Sequence, residues 1–477
     1  MKLVARILFA ILLGPLVSHA GPSVPLVLQH VTVIDGTGHS PQQDQTVVIS
    51  GGRIIAVGPV GRTKFDKTAH VIDGQGKFLI PGLSDMHVHI AGVSADPAWS
   101  KDVLLPLLLA NGITGVRDMG GDLEVLLSWK HDIESGKLLG PHIVAAGPWL
   151  AGGGRKTPEQ FPVANVGEAR AAVRELKQRG ADFIKIISLP SREALFAVAE
   201  EARKQGISFA GHLPLDVSAA EASDAGMHSI EHFYYSAFAL SLSTKEEALR
   251  PLLIAAERKR DSAAAATITS DAIASYGPEK AAVLWSKLKA NGTRVTPTLE
   301  GIYVAGPPST IAADRSSLTF IPVPVLKAWR SGVADNSAAS ARVNTVAKLS
   351  ENDWKLTGEI ETAGVRLLAG SDSLDEGVIP GFSLHLELSQ LVKAGLTPME
   401  AIHAATAEAA EFLGRTKDFG IVETGKVADV ILLEANPVEN IANTRKILAV
   451  IRDGRYFDRA ALDSLLAKAA AAAQAVR

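Results

Sequence analysis

Between Leu26 and Ile80 the apolar positions come in short β-branched clusters: Val27-Leu28, Val31-Thr-Val-Ile34, Val47-Val-Ile49, Arg53-Ile-Ile-Ala-Val57 and Val71-Ile72. Asp35-Gly36, Gly51-Gly52 and Asp73-Gly74 separate them, so the pattern predicts a small antiparallel sheet. From Pro81 the texture changes. Short apolar runs at Leu83–Ile90, Thr114–Met119, His142–Ala146, Phe183–Ile187, Ser208–His212, Ser229–His232, Val295–Leu299 and Arg366–Gly370 alternate with Ala- and charge-rich stretches such as Val166–Arg179, Arg192–Gln205, Ser218–Ala225 and Lys280–Ala290. Helix-period and strand-period segments in alternation predict an α/β fold of parallel βα units, and eight units predict a closed (β/α)8 TIM-like barrel. An open doubly wound sheet is the alternative. It lacks a phosphate-binding glycine fingerprint, because Gly152-Gly-Gly154 follows no strand-to-helix pattern.

Two connections are long. Residues 236–291 read as helical, and 301–357 carry Pro307-Pro308 and Pro322 and Pro324. Such excursions serve as lids, substrate walls or surface packing. After the last strand come an amphipathic stretch at Ser383–Ala394, a second at Thr397–Leu413, and a return to β texture at 420–433 and Ile447–Arg452. This tail is expected to complete the N-terminal sheet, with an Ala-rich terminal helix at Arg459–Val476 exposed over much of its surface. The predicted division is 1–20, a leader; 21–80, the first part of a β domain; 81–417, the barrel; 418–457, the second part of the β domain; and 458–477, the helix.

At 477 residues, with 47% hydrophobic and 21% charged positions, the composition is that of an ordinary globular protein. A formal net charge of -3 gives no electrostatic case for nucleic acid or an anionic membrane as partner. The chain has no Cys, which excludes disulfides, thiolate metal sites and cysteine nucleophiles. Lys2 and Arg6 precede an apolar run from Ile7 to Val17, and Ser18-His-Ala20 ends in the small residues that a signal peptidase reads. The expectation is a cleaved signal peptide, periplasmic or secreted location, and no stable membrane anchor afterwards.

The chemistry lies at the ends of the predicted strands. In Pro81-Gly-Leu-Ser-Asp-Met-His-Val-His89, strand alternation turns His87 and His89 to one side, a natural half-site for a divalent metal. Lys185 interrupts an apolar run, and burying an ammonium is costly unless it is paired or neutralised. It is either salt-bridged, to Asp182 or Glu231, or a neutral amine able to add carbon dioxide and become a carbamate. His212, His232 after Glu231, and Asp372 complete the set. Asp372 also has the alternative of a helix N-cap. Parallel barrels keep their active sites on the rim where these residues fall.

In these pieces the chain resembles the amidohydrolase superfamily, in particular its imidazolonepropionase-like branch, which includes prolidase-type dipeptidases. The matching residues are Val33-Ile-Asp-Gly-Thr-Gly38, Pro81–His89, Ile184-Lys-Ile186, Gly211-His212, Ser229-Ile-Glu-His232, Gly370-Ser-Asp372 and Gly425-Lys-Val-Ala-Asp-Val430. The resemblance implies a distorted barrel with a β-sandwich built from both chain ends, and two divalent metals, usually zinc. It implies that His87, His89 and Asp372 hold the more buried ion, that carbamylated Lys185 bridges, and that His212 and His232 hold the second. It further implies that a hydroxide between the ions attacks an amide-like carbonyl while Asp372 moves the proton.

The substrate expected is a small molecule, a dipeptide or N-acyl amino acid, and homo-oligomers are compatible with the sequence. Dipeptidase relatives carry a Gly-rich stretch after the Lys and a Tyr-Thr pair after the first of the two later His residues. Here Lys185 is followed by Ile-Ile-Ser-Leu-Pro-Ser-Arg192 and His212 by Leu-Pro. Tyr234, Tyr235, Tyr303, Arg155 and His385 are the candidate substrate contacts. Opening of an imidazolone-like cyclic amide, a lactonase or phosphoester hydrolase, and a non-catalytic binding protein on the same fold are the competing readings.

Overall fold

The computed structural model describes residues 24–92, 95–189, 191–233, 236–304, 312–331 and 339–476. The leader expected at 1–20 lies outside the described residues. The strands are β1 (Leu26–Val33), β2 (Gln42–Ser50), β3 (Arg53–Pro59), β4 (His70–Asp73) and β5 (Phe78–Pro81), followed by β6 (Leu83–Val88), β7 (Ile113–Asp118) and β8 (His142–Ala145). Next come β9 (Trp149–Ala151), β10 (Gln160–Pro162), β11 (Phe183–Ser188), β12 (Ser208–Gly211), β13 (Ser229–Glu231) and β14 (Arg294–Thr296). The last three are β15 (Val430–Leu433), β16 (Ile447–Arg452) and β17 (Arg455–Asp458).

Both chain ends contribute to one eight-stranded sheet of order β17-β16-β15-β5-β1-β2-β3, with β4 also beside β1. Its centre is the antiparallel pairing of Phe78–Pro81 with Val430–Leu433. The expected antiparallel sheet is in fact mixed. The first half of β1 runs parallel to β4 and the second half parallel to β5, because the chain comes back after β3 to travel alongside β1 in the same direction. Leu28, Val33, Ile49, Leu79, Val430 and Ile451 share one core, and hydrogen bonding links all eight strands.

The remaining strands are parallel and form two sheets, β6-β7-β8 and β10-β9-β11-β12-β13-β14. Seven of the eight expected runs are strands. The eighth, Arg366–Gly370, forms an isolated pairing instead, Leu367 with Val295, and just beyond it Ser373 pairs with Val88 on the other side. Leu368 N donates to Val295 O at 2.9 Å, Met86 N to Ala369 O at 2.9 Å, and Asp372 N to His87 O at 2.8 Å, so this segment sits between β14 and β6. On the far flank Asp182 N donates to Ala145 O at 2.9 Å, linking β8 to the start of β11. Strands β9 and β10 were not expected from the pattern. Each has three residues, too few to show a period.

The helices follow their sequence punctuation. Helix α1 spans Pro97–Ala110 and α2 Leu123–Glu134. Helix α3 (Val166–Arg179) begins where the Asn165 side chain accepts from Glu168 N and ends at Gly180 with φ +97°. Helix α4 (Arg192–Gln205) has the same design with Ser191 and Gly206. The connection at 236–291 is helical, as expected. The terminal helix Arg459–Ala475 buries Leu462, Ala469 and Ala473 and packs along α1, so one stripe of it is core. Among the described residues no helix is long and apolar enough to cross a membrane.

The mixed sheet is fastened to the parallel strands by a buried polar knot. His142 Nε2 of β8 lies 3.1 Å from Asp429 Oδ2, Asp453 N donates to Asp429 Oδ1 at 2.7 Å, and Arg452 Nη1 lies 3.7 Å from that oxygen. Burial pushes the Asp429 carboxyl up, but Arg452 and His142 outweigh it and hold it below the usual value. Asp429→Leu leaves the buried Arg452 guanidinium with only the half-exposed Asp453 carboxylate beside it, and breaking a buried pair costs about 3–5 kcal/mol. The expected outcome is a urea midpoint lowered by about 3 kcal/mol of stability with an unchanged slope. A loss below about 1 kcal/mol contradicts the fastening role.

Candidate active site

His87 lies on β6 and His89 just past its end, with Val88 buried on the other side between them. His232 follows β13, His212 follows β12, and Asp372 follows the 366–370 segment. The structure brings them together. His87 Nε2 lies 3.4 Å from Asp372 Oδ1, His89 Nε2 lies 3.5 Å from the same oxygen, and His232 Nε2 lies 3.6 Å from Asp372 Oδ2. The ring centres of His87 and His232 are 4.6 Å apart, and those of His212 and His232 are 5.0 Å apart. A glycine at 370 permits this closeness, because a Cβ there would stand 2.8 Å from His87 Cβ and 2.7 Å from Thr296 Cγ2.

Each of three imidazoles is oriented through its other nitrogen. His87 Nδ1 meets Glu231 Oε2 at 2.9 Å, and His89 Nδ1 meets the Gly120 carbonyl at 2.9 Å. His232 Nδ1 meets Thr298 Oγ1 at 2.5 Å, and that hydroxyl donates its own hydrogen to Pro297 O. All three partners accept, so each Nδ1 carries the hydrogen and each Nε2 presents a lone pair to the centre. Carboxylate- or carbonyl-oriented imidazoles of this kind are typical of metal ligands.

Backbone strain gathers at the same place. His232, Thr298 and Asp372 have φ of +65°, +49° and +60°. Left-handed conformations cost a non-glycine residue of order 1–3 kcal/mol and persist where the surroundings over-determine them.

Lys185 lies in the middle of β11, paired across to Ala210, with its side chain buried. Its Nζ has no hydrogen-bond partner among the described residues. Asp182, one partner weighed from sequence, is taken by Lys130 at 2.9 Å. Burial brings the Lys185 amine down to about 8, against the opposing pull of Glu231 and Asp372. Burial, and then the Lys185 charge, pushes His87 and His212 well below the usual imidazole range, and burial brings His232 to about 4. His89 differs: burial lowers it, but bonding to Asp372 outweighs this and raises it. Burial opposes ionisation of Asp372, yet His87, His232 and His89 together hold its carboxyl far below the carboxylate range. Three inward lone pairs, an ionised carboxylate and an orphaned buried amine form a donor set that fits divalent cations.

Four buried charged residues stand behind this set; Glu231 was weighed from sequence as a partner of Lys185, whereas Arg117, Asp85 and Asp118 were not singled out. Arg117 on β7 donates from Nη2 to Glu231 Oε1 and Oε2, both at 2.9 Å, from Nη1 to Ser229 Oγ at 2.8 Å, and from Nε to Met86 O at 2.6 Å. Glu231 accepts from Ser229 as well. Burial pushes Glu231 up, but Arg117 and Lys185 outweigh it and keep it low. Asp85 accepts from Ser371 N at 2.9 Å and Ser371 Oγ at 2.6 Å, tying β6 to the segment that carries Asp372. Asp118 accepts from Ile90 N at 2.8 Å and Gly120 N at 3.0 Å, fixing the turn behind His89. A charge inside an apolar strand is the signal that marked Lys185, and Arg117 and Glu231 carry it too.

The candidate substrate contacts fare differently. Tyr234 and Tyr235 lie outside the described residues, as does the side chain of Tyr303, whose backbone is in the helix Leu299–Val304. Arg155 is exposed on the loop between β9 and β10. His385 is corrected. It is buried, its Nε2 meets Asn111 O at 2.9 Å and its Nδ1 meets Thr444 Oγ1 at 3.0 Å. Asn111 leads into the start of β7, whereas the histidines and Asp372 lie at or past strand ends, so His385 joins elements at the opposite edge.

Imidazoles and a carboxylate converging at the C-terminal ends of parallel strands, in a mixed α/β fold, define a hydrolase-type site. The chain belongs to the amidohydrolase family, whose model matches residues 78–456. It is 26% identical to an ochratoxinase of Aspergillus niger over 89% of this chain and 85% of that protein. It is 25% identical to an imidazolonepropionase of Pseudomonas putida over 84% of this chain and 90% of that one. The crystal structure of a Xaa-Pro dipeptidase with bound methionine in the active site has the same fold, with a TM-score of 0.66 at 23% identity, covering 91% of this chain and all of that one. The protein is a hydrolase of C–N bonds, and its family generally binds divalent metals.

Burial brings His385 down to about 4. Its native form is neutral, while the unfolded chain takes up the proton near 6.5. Stability from this group is therefore complete above about 6.5 and is lost as pH falls towards 4. Unfolding free energy measured at pH 7 and pH 4.5 is expected to fall more steeply in wild type than in His385→Gln, by up to about 3 kcal/mol. Equal slopes contradict the neutral, buried assignment.

Proposed function

We propose that this amidohydrolase is an exported, binuclear enzyme that cleaves the amide bond of a dipeptide or N-acyl amino acid. The observation that carries this reading is the convergence of the His87, His89 and His232 Nε2 atoms on Asp372 beside the orphaned Lys185 amine. His87, His89 and Asp372 would hold one ion, His212 and His232 a second, with zinc the expected metal. Such ions, when bound, lower the pKa of water and polarise a carbonyl oxygen.

The protein's own groups do the rest. An amine near 8 is partly neutral at pH 7 and adds carbon dioxide, releasing one proton to solvent and leaving an N-carboxylate on Lys185. That carboxylate would give the ions a negatively charged ligand at a position where the sequence has no acidic side chain. Asp372 takes the proton of the attacking water and delivers it to the departing nitrogen. Glu231 and Arg117 keep the His87 lone pair aimed inward throughout.

The wider architecture in this proposal is a closed (β/α)8 barrel at 81–417, with the 366–373 segment as its eighth wall. The β domain of 21–80 and 418–457 folds as a sandwich, and the terminal helix takes 458–477. The basic and then apolar leader at 1–20 supports export. Similarity to an imidazolonepropionase favours one second reading, hydrolysis of a cyclic amide.

Asp372→Asn is expected to lower kcat on an N-acyl amino acid by about 10²–10⁴, with the circular dichroism spectrum unchanged and most metal retained. Hydrolysis at the wild-type rate contradicts the proton-transfer role.

A further inference from the structure

Trp149 opens β9, the short strand that follows β8 after one turn. That strand pairs with β11 through Leu150 opposite Ile186 and Ala151 opposite Ser188, just past Lys185 towards the strand end. The Trp149 ring therefore stands at the rim. Its centre lies 6.2 Å from that of His89, with the planes at 89°, an edge-to-face contact.

The residue is held through both its ring and its backbone. A Cβ at Gly120 would stand 2.3 Å from Trp149 Cε3, so the indole lies directly on the Gly120 backbone. Trp149 N donates to Glu159 O at 2.9 Å, and β10 pairs with β9 along Trp149–Ala151. Trp149 is nevertheless only half-buried, and the His89 side chain it touches keeps 12% exposure. A large aromatic ring, seated on the Gly120 backbone, left partly open and set against a residue of the reaction centre, is a preformed wall for flat apolar groups.

We propose that Trp149 is a specificity-determining residue, selecting amide substrates that carry an aromatic group next to the scissile C–N bond. The inference rests on the amide-hydrolase reading above. It narrows the substrate class without adding a chemical step. Trp149 also backs the Gly120 carbonyl that holds His89 Nδ1. A purely positioning role through His89 would slow all substrates alike, whereas a wall discriminates between them.

The test uses metal-loaded full-length enzyme and two matched pairs: N-benzoyl- against N-acetyl-L-alanine, and N-acetyl-L-phenylalanine against N-acetyl-L-alanine. In Trp149→Ala the aromatic-to-aliphatic ratio of kcat/KM is expected to fall about tenfold in at least one pair, mostly through KM. Trp149→Phe should keep most of that ratio. Unchanged ratios in both pairs, with activity lowered evenly, overturn the wall and leave a positioning residue. If wild type hydrolyses none of the three, the amide reading fails separately. The wall is then read by calorimetry of benzoate and phenylalanine against acetate and alanine, where equal affinity ratios in wild type and Trp149→Ala overturn it.

Discussion

The buried contact between Arg117 and Glu231 is the constraint on which the site depends. Both side chains are almost wholly excluded from water, and removing two charges from water costs more than their attraction returns unless every remaining group is bonded. Here that condition is met. The guanidinium spends its donors on Glu231, Ser229, Thr296 and the Met86 carbonyl, and the free lone pairs of Glu231 go to His87 and Ser229. The pair thus joins β6 and β7 of one parallel sheet to β13 and β14 of the other. Hydrophobic residues of similar volume would hold these strands together at least as well. They could not fix which nitrogen of His87 carries the hydrogen, and that choice decides whether a lone pair reaches the centre.

From this contact the geometry propagates outward by short links. His87 stands beside Asp372 because Gly370 lets the neighbouring backbone approach, and Asp85 pins Ser371 next to it. His232, Thr298 and Asp372 accept left-handed backbone where each turns out of its strand, which aims the side chains across the rim instead of along it. Among the described residues the Lys185 Nζ has no bonded partner. Buried polar groups are bonded as a rule, so an orphaned buried amine beside these ligands is informative.

Much of this was legible in the sequence because two periodicities carry it. Alternation along Leu83–Val88 placed His87 and His89 together, and the strand–helix rhythm placed His212, His232 and Asp372 on one edge. The caps of α3 and α4 were written as Asn165 with Gly180 and Ser191 with Gly206. Other features were illegible for physical reasons. Strands β9 and β10 are too short to show a period, so the wall formed by Trp149 was hidden. The parallel pairing of β1 with β4 and β5 depends on where the chain returns after β3, which no local pattern records. His385 was misread because the connection from Asp372 leads back to the strand starts, and sequence distance carries no direction. Arg117 and Glu231 were readable by the same buried-charge test as Lys185, since both interrupt apolar strands.

The central claim is that these oriented imidazoles, Asp372 and Lys185 hold two divalent ions. The most direct measurement is metal content per chain by elemental analysis of the purified mature protein, prepared with bicarbonate. The account predicts close to two zinc-like ions, falling when Glu231→Gln disturbs His87. No bound metal after reconstitution would contradict it.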